Sequence, residues 1–352
     1  MNKHHINLLK GLVETYSPNG QEKAAVKYLV AQMKTLGYQA HIDPIGNAVG
    51  TLGDGPREIM LLGHIDTVPG EISVRQEGDS LWGRGTVDAK GPLAAFTCAA
   101  SVVAPSPGWR IRVVGAVGEE GNSRGAKYLR DNHSPLPEMV IIGEPSGVNQ
   151  ITLGYKGSAW FRCTIQRQLA HTAGSAESGP EAAVAFWNRI TTRIAEMNQG
   201  RERIFEQISP TLREINSDSD GFTEKVHMNI GFRLPPDTSV NDISALMDSL
   251  KSEGETVELI DGLPPYRSDK NNSLVRAFLG GIRAAGERPK FVVKTGTADF
   301  NIVGPAWKCP IIAYGPGDSS LDHTPHEHIS LSEFTLSVTV LEHALTRLIT
   351  ES

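Results

Sequence analysis

Ile59-Met60-Leu61-Leu62-Gly63-His64-Ile65-Asp66 runs a continuous apolar segment into two residues that can ligate a metal. A run this short, with no polar alternation, is the pattern of a strand buried on both faces. The pattern recurs at Ile111 to Val117, which leads to Glu119-Glu120, and at Met139-Val140-Ile141-Ile142, which leads to Glu144. Helical patterns lie between these runs, notably Leu93 to Val103. The alternation predicts an α/β fold, a mostly parallel sheet with helices on both faces. Functional residues of such sheets gather outside the carboxyl ends of the strands. Here each of those ends delivers His, Asp or Glu.

Outward from this centre the character of the chain changes. Residues 6–36 have helical periodicity, with Ile6, Leu9, Leu12 and Val13, then Ala25, Tyr28, Leu29 and Met33. Ser17-Pro18-Asn19-Gly20 breaks it into two helices. Near residue 153 the pattern turns to alternation. Lys156 to Gln166, Val226 to Phe232 and Thr256 to Ile260 read as strands, and Glu181 to Met197 and Val240 to Lys251 as helices. That β-α-β-α-β order predicts an inserted α+β domain of the ferredoxin-like kind over 154–264. Residues 198–222 are polar and unpatterned and read as a loop or insertion. Helix–strand alternation returns with Leu274 to Ala285 and Pro310 to Tyr314, so 1–153 and 265–352 are expected to form the metal-binding domain.

Composition narrows the function classes. A chain of 352 residues suits two domains. With 39% hydrophobic and 21% charged residues it lies in the ordinary globular range. A net charge of −6, with no basic cluster, argues against a nucleic-acid partner. No apolar stretch has the length of a membrane span. Met1 to Lys10 is too polar for a signal peptide, so the cytoplasm is the expected compartment. Cys98, Cys163 and Cys309 are far apart and read as packed small hydrophobes.

A fourth carboxylate, Asp88, sits in Gly85-Thr86-Val87-Asp88-Ala89-Lys90-Gly91, just before a helix. Alone, an Asp there is usually an N-cap, a Glu-Glu pair a solvated surface, and a His near a strand end a structural residue. Together they read differently. Carboxylates crowded into one buried place repel and need cations, and a dinuclear metal site meets that need.

These motifs resemble the M20 metallopeptidases and aminoacylases. The resemblance rests on Gly63-His64-Ile65-Asp66-Thr67-Val68-Pro69, Gly83-Arg84-Gly85-Thr86-Val87-Asp88-Ala89-Lys90-Gly91, Gly118-Glu119-Glu120-Gly121, Gly143-Glu144-Pro145 and His323-Thr324-Pro325-His326-Glu327, in the family's order and spacing. It implies two divalent ions, Zn2+ or Co2+, with His64 and Glu144 on one, Glu120 and His323 on the other, and Asp88 bridging. It also implies a cis peptide after Asp88. Asp66 would accept a hydrogen bond from His64 and fix its tautomer. Glu119 would be the general base, since alternation on an extended backbone turns its side chain away from that of Glu120. Spacing alone does not choose among His323, His326 and His328; the family pattern selects His323. In the insert, His171 resembles a histidine that stabilises the tetrahedral oxyanion, and Arg233 one that binds a substrate carboxylate. Lys294 to Asn301 matches a loop lining the substrate pocket, with Thr297 and Asp299 as its candidate contacts.

That loop and the chain length most resemble the subgroup that hydrolyses lysine or ornithine from LysW, a small acidic amino-group carrier protein, in lysine and arginine biosynthesis. An acetyl-lysine or acetylornithine deacetylase is the alternative within the family. A catalytically inactive binding relative is the alternative outside it, disfavoured because every expected ligand and the base are present. The resemblance further implies a homodimer through the inserted domain. An acidic carrier calls for positive charge at the cleft mouth, for which Lys90, Lys156, Lys270 and Lys294 are the candidates, and Asp299 is the candidate partner for the distal ammonium.

Overall fold

The computed structural model describes residues 2–103, 106–171 and 173–351. The chain divides into two compact units. The first runs through Gly154 and takes up again over Ser268–Val293 and from Ala298 onward. The second is Tyr155–Arg267 together with Lys294–Thr297, a short segment that the sequence pattern places with the first.

The first unit is built on a sheet whose middle strands are Trp109–Ala116, Arg57–His64, Met139–Gly143 and Ile311–Ala313, in that spatial order and all parallel. These contain the apolar runs, the first interrupted by Arg112, and both faces of Arg57–His64 and Met139–Gly143 are buried almost throughout. The flanking strands Ala48–Leu52 and Gln150–Tyr155 join antiparallel. Helix Lys90–Val102 is buried from Lys90 to Ala100. Helices Lys3–Glu14 and Leu331–Glu351 pack against it. No helix among the described residues is long and apolar enough to cross a membrane.

A carboxylate, Glu58, is buried within this sheet. Glu58 is 1% exposed and accepts from Nε of Arg110 (2.6 Å) and Nε of Arg112 (3.0 Å), with Nε2 of His133 at 2.7 Å. Burial pushes its carboxyl up, but the His133 hydrogen bond and the Arg112, His133 and Arg110 partners outweigh that and hold it at about 2. A folded-state value below the ordinary 4.5 stabilises the fold fully above that pH, and the stabilisation is lost as pH falls toward 2. The difference corresponds to about 3 kcal/mol. Glu58→Gln is therefore expected to cost about that much near neutrality and to flatten the fall in stability between about pH 5 and pH 2. Denaturant melts across that range check it; an unchanged acid slope in the variant would clear Glu58 of the role.

The second unit has strand order Ser209–Ser219, Thr223–Leu234, Gly157–Gln168, Glu255–Leu263, all antiparallel. Alternate residues Phe161, Cys163 and Ile165, and Val226, Met228 and Ile230, share a core with Phe186, Ile190 and Met247 of the two helices. Both helices, Gly179–Met197 and Val240–Ser249, open with a capping box, Ser178 with Glu181 and Ser239 with Asp242. The order is β-α-β-β-α-β, one strand more than the sequence pattern predicts. Residues 198–222 are not loop throughout: Ser209–Ser219 is an edge strand hairpinned to Thr223–Leu234. Its outer half is exposed on both faces, so no apolar alternation marks it. Backbone pairing makes it, with Asp220 Oδ1 closing the turn on the N–H groups of Phe222 (2.9 Å) and Thr223 (2.8 Å).

Candidate metal centre

Strand register sets the floor of the site. His64 ends its strand opposite Ala116 of one neighbour, and Gly63 lies opposite Gly143 of the other. The residues just beyond, Glu119-Glu120 and Glu144, thus leave the sheet at the edge where His64 points. Gly118, at φ +80°, turns the chain into the Glu119-Glu120 pair, and a Cβ there would lie 2.5 Å from Nη1 of Arg124.

His64 is 1% exposed, with Nε2 3.0 Å from Oδ1 of Asp88. Its Nδ1 lies 2.9 Å from the backbone carbonyl of Asp66. A carbonyl only accepts, so Nδ1 carries the proton and Nε2 presents its lone pair. The tautomer is fixed by the Asp66 carbonyl rather than by its carboxylate, which stands 3.7 Å off. The Asp66 carboxylate instead brackets the next segment, accepting from the N–H of Glu119 and of Glu120, each at 3.1 Å. His323, at φ +61°, brings Nε2 to 3.0 Å from Oδ2 of Asp88 and 3.0 Å from Oε1 of Glu120. Asp88 therefore offers one oxygen to each imidazole. The peptide from Asp88 to Ala89 is cis.

Ligand atoms of His64, Asp88 and Glu120 lie within 4.8 Å of one another. Electrostatics tests whether cations fit among them. Burial, then the neighbouring carboxylates Glu144, Asp299 and Glu120, drive Glu119 well above the ordinary carboxylate range despite His64. Glu144 rises likewise, by burial and by Asp88. Burial opposes a charged His64, yet Asp88, Glu119 and Glu144 push it well up, and Asp88 and Glu120 carry His323 up to about 10. Surplus negative charge thus raises the proton affinity of both imidazoles. Divalent cations would supply the same balance, and a donor set of imidazole nitrogens and carboxylate oxygens suits Zn2+, Co2+ or Mn2+.

Asp299 belongs to this cluster. It is 2% exposed, and burial with the nearby Asp66 pushes it up to about 7 against the pull of His64 and Ser123. Among the described residues its buried Oδ1 has no hydrogen-bond partner. The loop match suggests it as the partner for a substrate ammonium; its carboxyl is closed to solvent. Lys90 and Lys156 do not stand at a cleft mouth as the sequence suggests. Both are 0% exposed: Lys90 Nζ donates to the Thr15 carbonyl (2.9 Å), and Lys156 Nζ to the Ile204 carbonyl (2.8 Å). Burial lowers them to about 7 and about 8, so neither displays charge to a partner, whereas Lys270 is exposed.

In the second unit Arg233 donates from Nη1 to the Thr297 hydroxyl (3.0 Å). His171 is exposed, its Nδ1 accepting from the Ala173 N–H (3.1 Å). His326 is exposed, and His328 stacks on Trp82. In the sequence Arg84 and Glu327 stand out only as members of the motifs Gly83 to Gly91 and His323 to Glu327. The structure buries them as a pair at 2.8 Å behind Asp88.

Against known proteins, residues 60–347 match the model of peptidase family M20/M25/M40. The [LysW]-lysine hydrolase of Deinococcus radiodurans is 40% identical over 350 residues, covering 97% of this chain and 96% of its own. A Thermococcus kodakarensis relative, provisionally named a [LysW]-lysine/[LysW]-ornithine hydrolase, is 43% identical over 337 residues, 96% of this chain and 90% of its own. Among solved structures, a tripeptidase from Staphylococcus aureus superposes with TM-score 0.79 at 19% identity, covering 99% of each chain.

Proposed function

The chain belongs to peptidase family M20/M25/M40 and is a metal-dependent amide hydrolase, and from that premise we propose that it releases lysine, or ornithine, from the carrier protein LysW in the cytoplasm. The observation that carries this reading is identity of 40% with a [LysW]-lysine hydrolase over nearly all of both chains. The grouping of His64, Asp88 and Glu120, with His323 against Asp88 and Glu120 and with Glu144 acting on Glu119, supports it. The ornithine activity would add arginine synthesis to lysine synthesis.

We assign His64, Asp88, Glu120, Glu144 and His323 to two divalent ions, Zn2+ or Co2+. When bound, the pair polarises the scissile carbonyl and acidifies water. Glu119 takes the proton of the attacking water and returns it to the leaving amine; a carboxyl whose burial raises its proton affinity suits that exchange. Asp66 holds both halves of the machinery, His64 through its carbonyl and the Glu119-Glu120 backbone through its carboxylate. Arg233, with Thr297 on its guanidinium, takes the α-carboxylate of the released amino acid, a group its planar fork suits. His171 donates to the developing oxyanion, and the second unit mediates a homodimer; both assignments rest on the family resemblance.

The test is kcat/KM on LysW-linked lysine and ornithine against N-acetyl-lysine and N-acetylornithine. The carrier-linked substrates are expected to win clearly. With Lys90 and Lys156 buried, charge steering is left to groups such as Lys270, so only a moderate loss with added salt is expected. A preference for the acetylated amino acids would move the assignment to a plain deacetylase.

A further inference from the structure

The loop that carries Asp88 and the segment that carries His323 are joined a second time, behind the ligating atoms. Glu327, four residues after His323, is 0% exposed. Its Oε1 accepts from the backbone N–H of Val87 (2.9 Å) and of Asp88 (3.1 Å). Its Oε2 pairs with Nη1 of Arg84 at 2.8 Å, and Nε of Arg84 donates to the Gly70 carbonyl at 2.9 Å. Just past this point, strand His328–Ser330 pairs with Ser80–Trp82, the strand that runs into Gly83-Arg84. The Trp82 ring there stacks with the His328 ring and lies under the Arg75 guanidinium, each 4.3 Å away.

We propose that Glu327 is a positioning residue for the metal centre: its carboxylate clasps the backbone of the Asp88 loop to the His323 segment, so that both ligands reach the ions as one unit. The proposal rests on Asp88 and His323 being ligands and on nothing about the substrate. Three physical arguments support it. The Val87 and Asp88 amides lie in a buried loop and need acceptors, which Glu327 supplies with a single oxygen. A buried carboxylate is costly alone, and Arg84 neutralises it without drawing it toward the ions. His323 holds a left-handed backbone, which a non-glycine residue keeps only where its surroundings enforce it. The Glu327 clasp and the strand beyond it are those surroundings.

Two variants separate positioning from simple stabilisation. Glu327→Gln keeps the length and the oxygen that meets the Val87 and Asp88 amides but loses the charge. Glu327→Asp keeps the charge for Arg84 but withdraws from those amides. Co2+ affinity is read by chelator competition on folded protein, with the d–d absorption of the loaded form. Positioning predicts Co2+ binding weakened about 10- to 100-fold and a shifted spectrum in Glu327→Asp, with Glu327→Gln near wild type even if it melts earlier. Wild-type-like Co2+ affinity and spectrum in Glu327→Asp would overturn the proposal. A wild type that binds no Co2+ would instead overturn the ligand assignment, and the proposal with it. Hydrogen exchange on the metal-free wild type needs no variant. The Val87 and Asp88 amides are expected to be protected before any metal is added, and free exchange there would also overturn the clasp.

Discussion

Asp88→Ala is expected to fold, to carry almost no metal where the wild type carries about two ions per chain, and to show no measurable hydrolysis. The size of the effect follows from where the two carboxylate oxygens point. Oδ1 lies 3.0 Å from His64 Nε2, and Oδ2 lies 3.0 Å from His323 Nε2. Removing the side chain would therefore take a candidate ligand from both halves of the centre. It also leaves Glu119, Glu120 and Glu144 crowded with less to hold a cation among them. The side chain contributes no apolar packing, so circular dichroism should show a native spectrum. Elemental analysis reports the ions. Full occupancy in the variant would mean that Asp88 does not bridge.

Glu119→Gln is expected to keep its metal content and lose about 10²- to 10⁴-fold in turnover. Glu119 lies outside the closest ligand group, which is His64, Asp88 and Glu120. Its backbone is nonetheless pinned beside that group by Asp66 Oδ1. Gln keeps the shape and cannot take a proton. The rate should therefore fall in kcat and kcat/KM together, as for a group that acts in the transition state. Loss of a metal from this variant, or wild-type turnover, would exchange the roles of Glu119 and Glu120.

Much of this centre is legible in the sequence because strands buried on both faces carry few polar positions, Glu58 with Arg110 and Arg112 being the exception. Apolar runs ending in His64, Glu119-Glu120 and Glu144 can hardly be anything but central strands aimed at one edge, and the observed register places them there. What escapes the sequence is of two kinds. The edge strand Ser209–Ser219 buries too little to leave a pattern; the hairpin and its backbone pairing define it. The buried polar residues escape because polarity is read as exposure. Lys90 and Lys156 read as surface charge and are closed to solvent, Asp299 reads as a pocket contact and lies within the carboxylate cluster, and Glu327 with Arg84 forms a clasp behind Asp88. Asp66 is recognisable as a supporting residue, but only the structure divides its work between a carbonyl for His64 and a carboxylate for the Glu119-Glu120 backbone.

The most direct test of a metal-dependent amide hydrolase at this site is reconstitution. The protein is stripped with a chelator, then titrated with Zn2+ or Co2+ while free lysine released from the LysW-linked substrate is measured. Activity is expected to be absent at the start, to rise with added ion, and to level off at about two equivalents per chain. Full turnover by the stripped protein, with metal shown to be absent, would contradict the account.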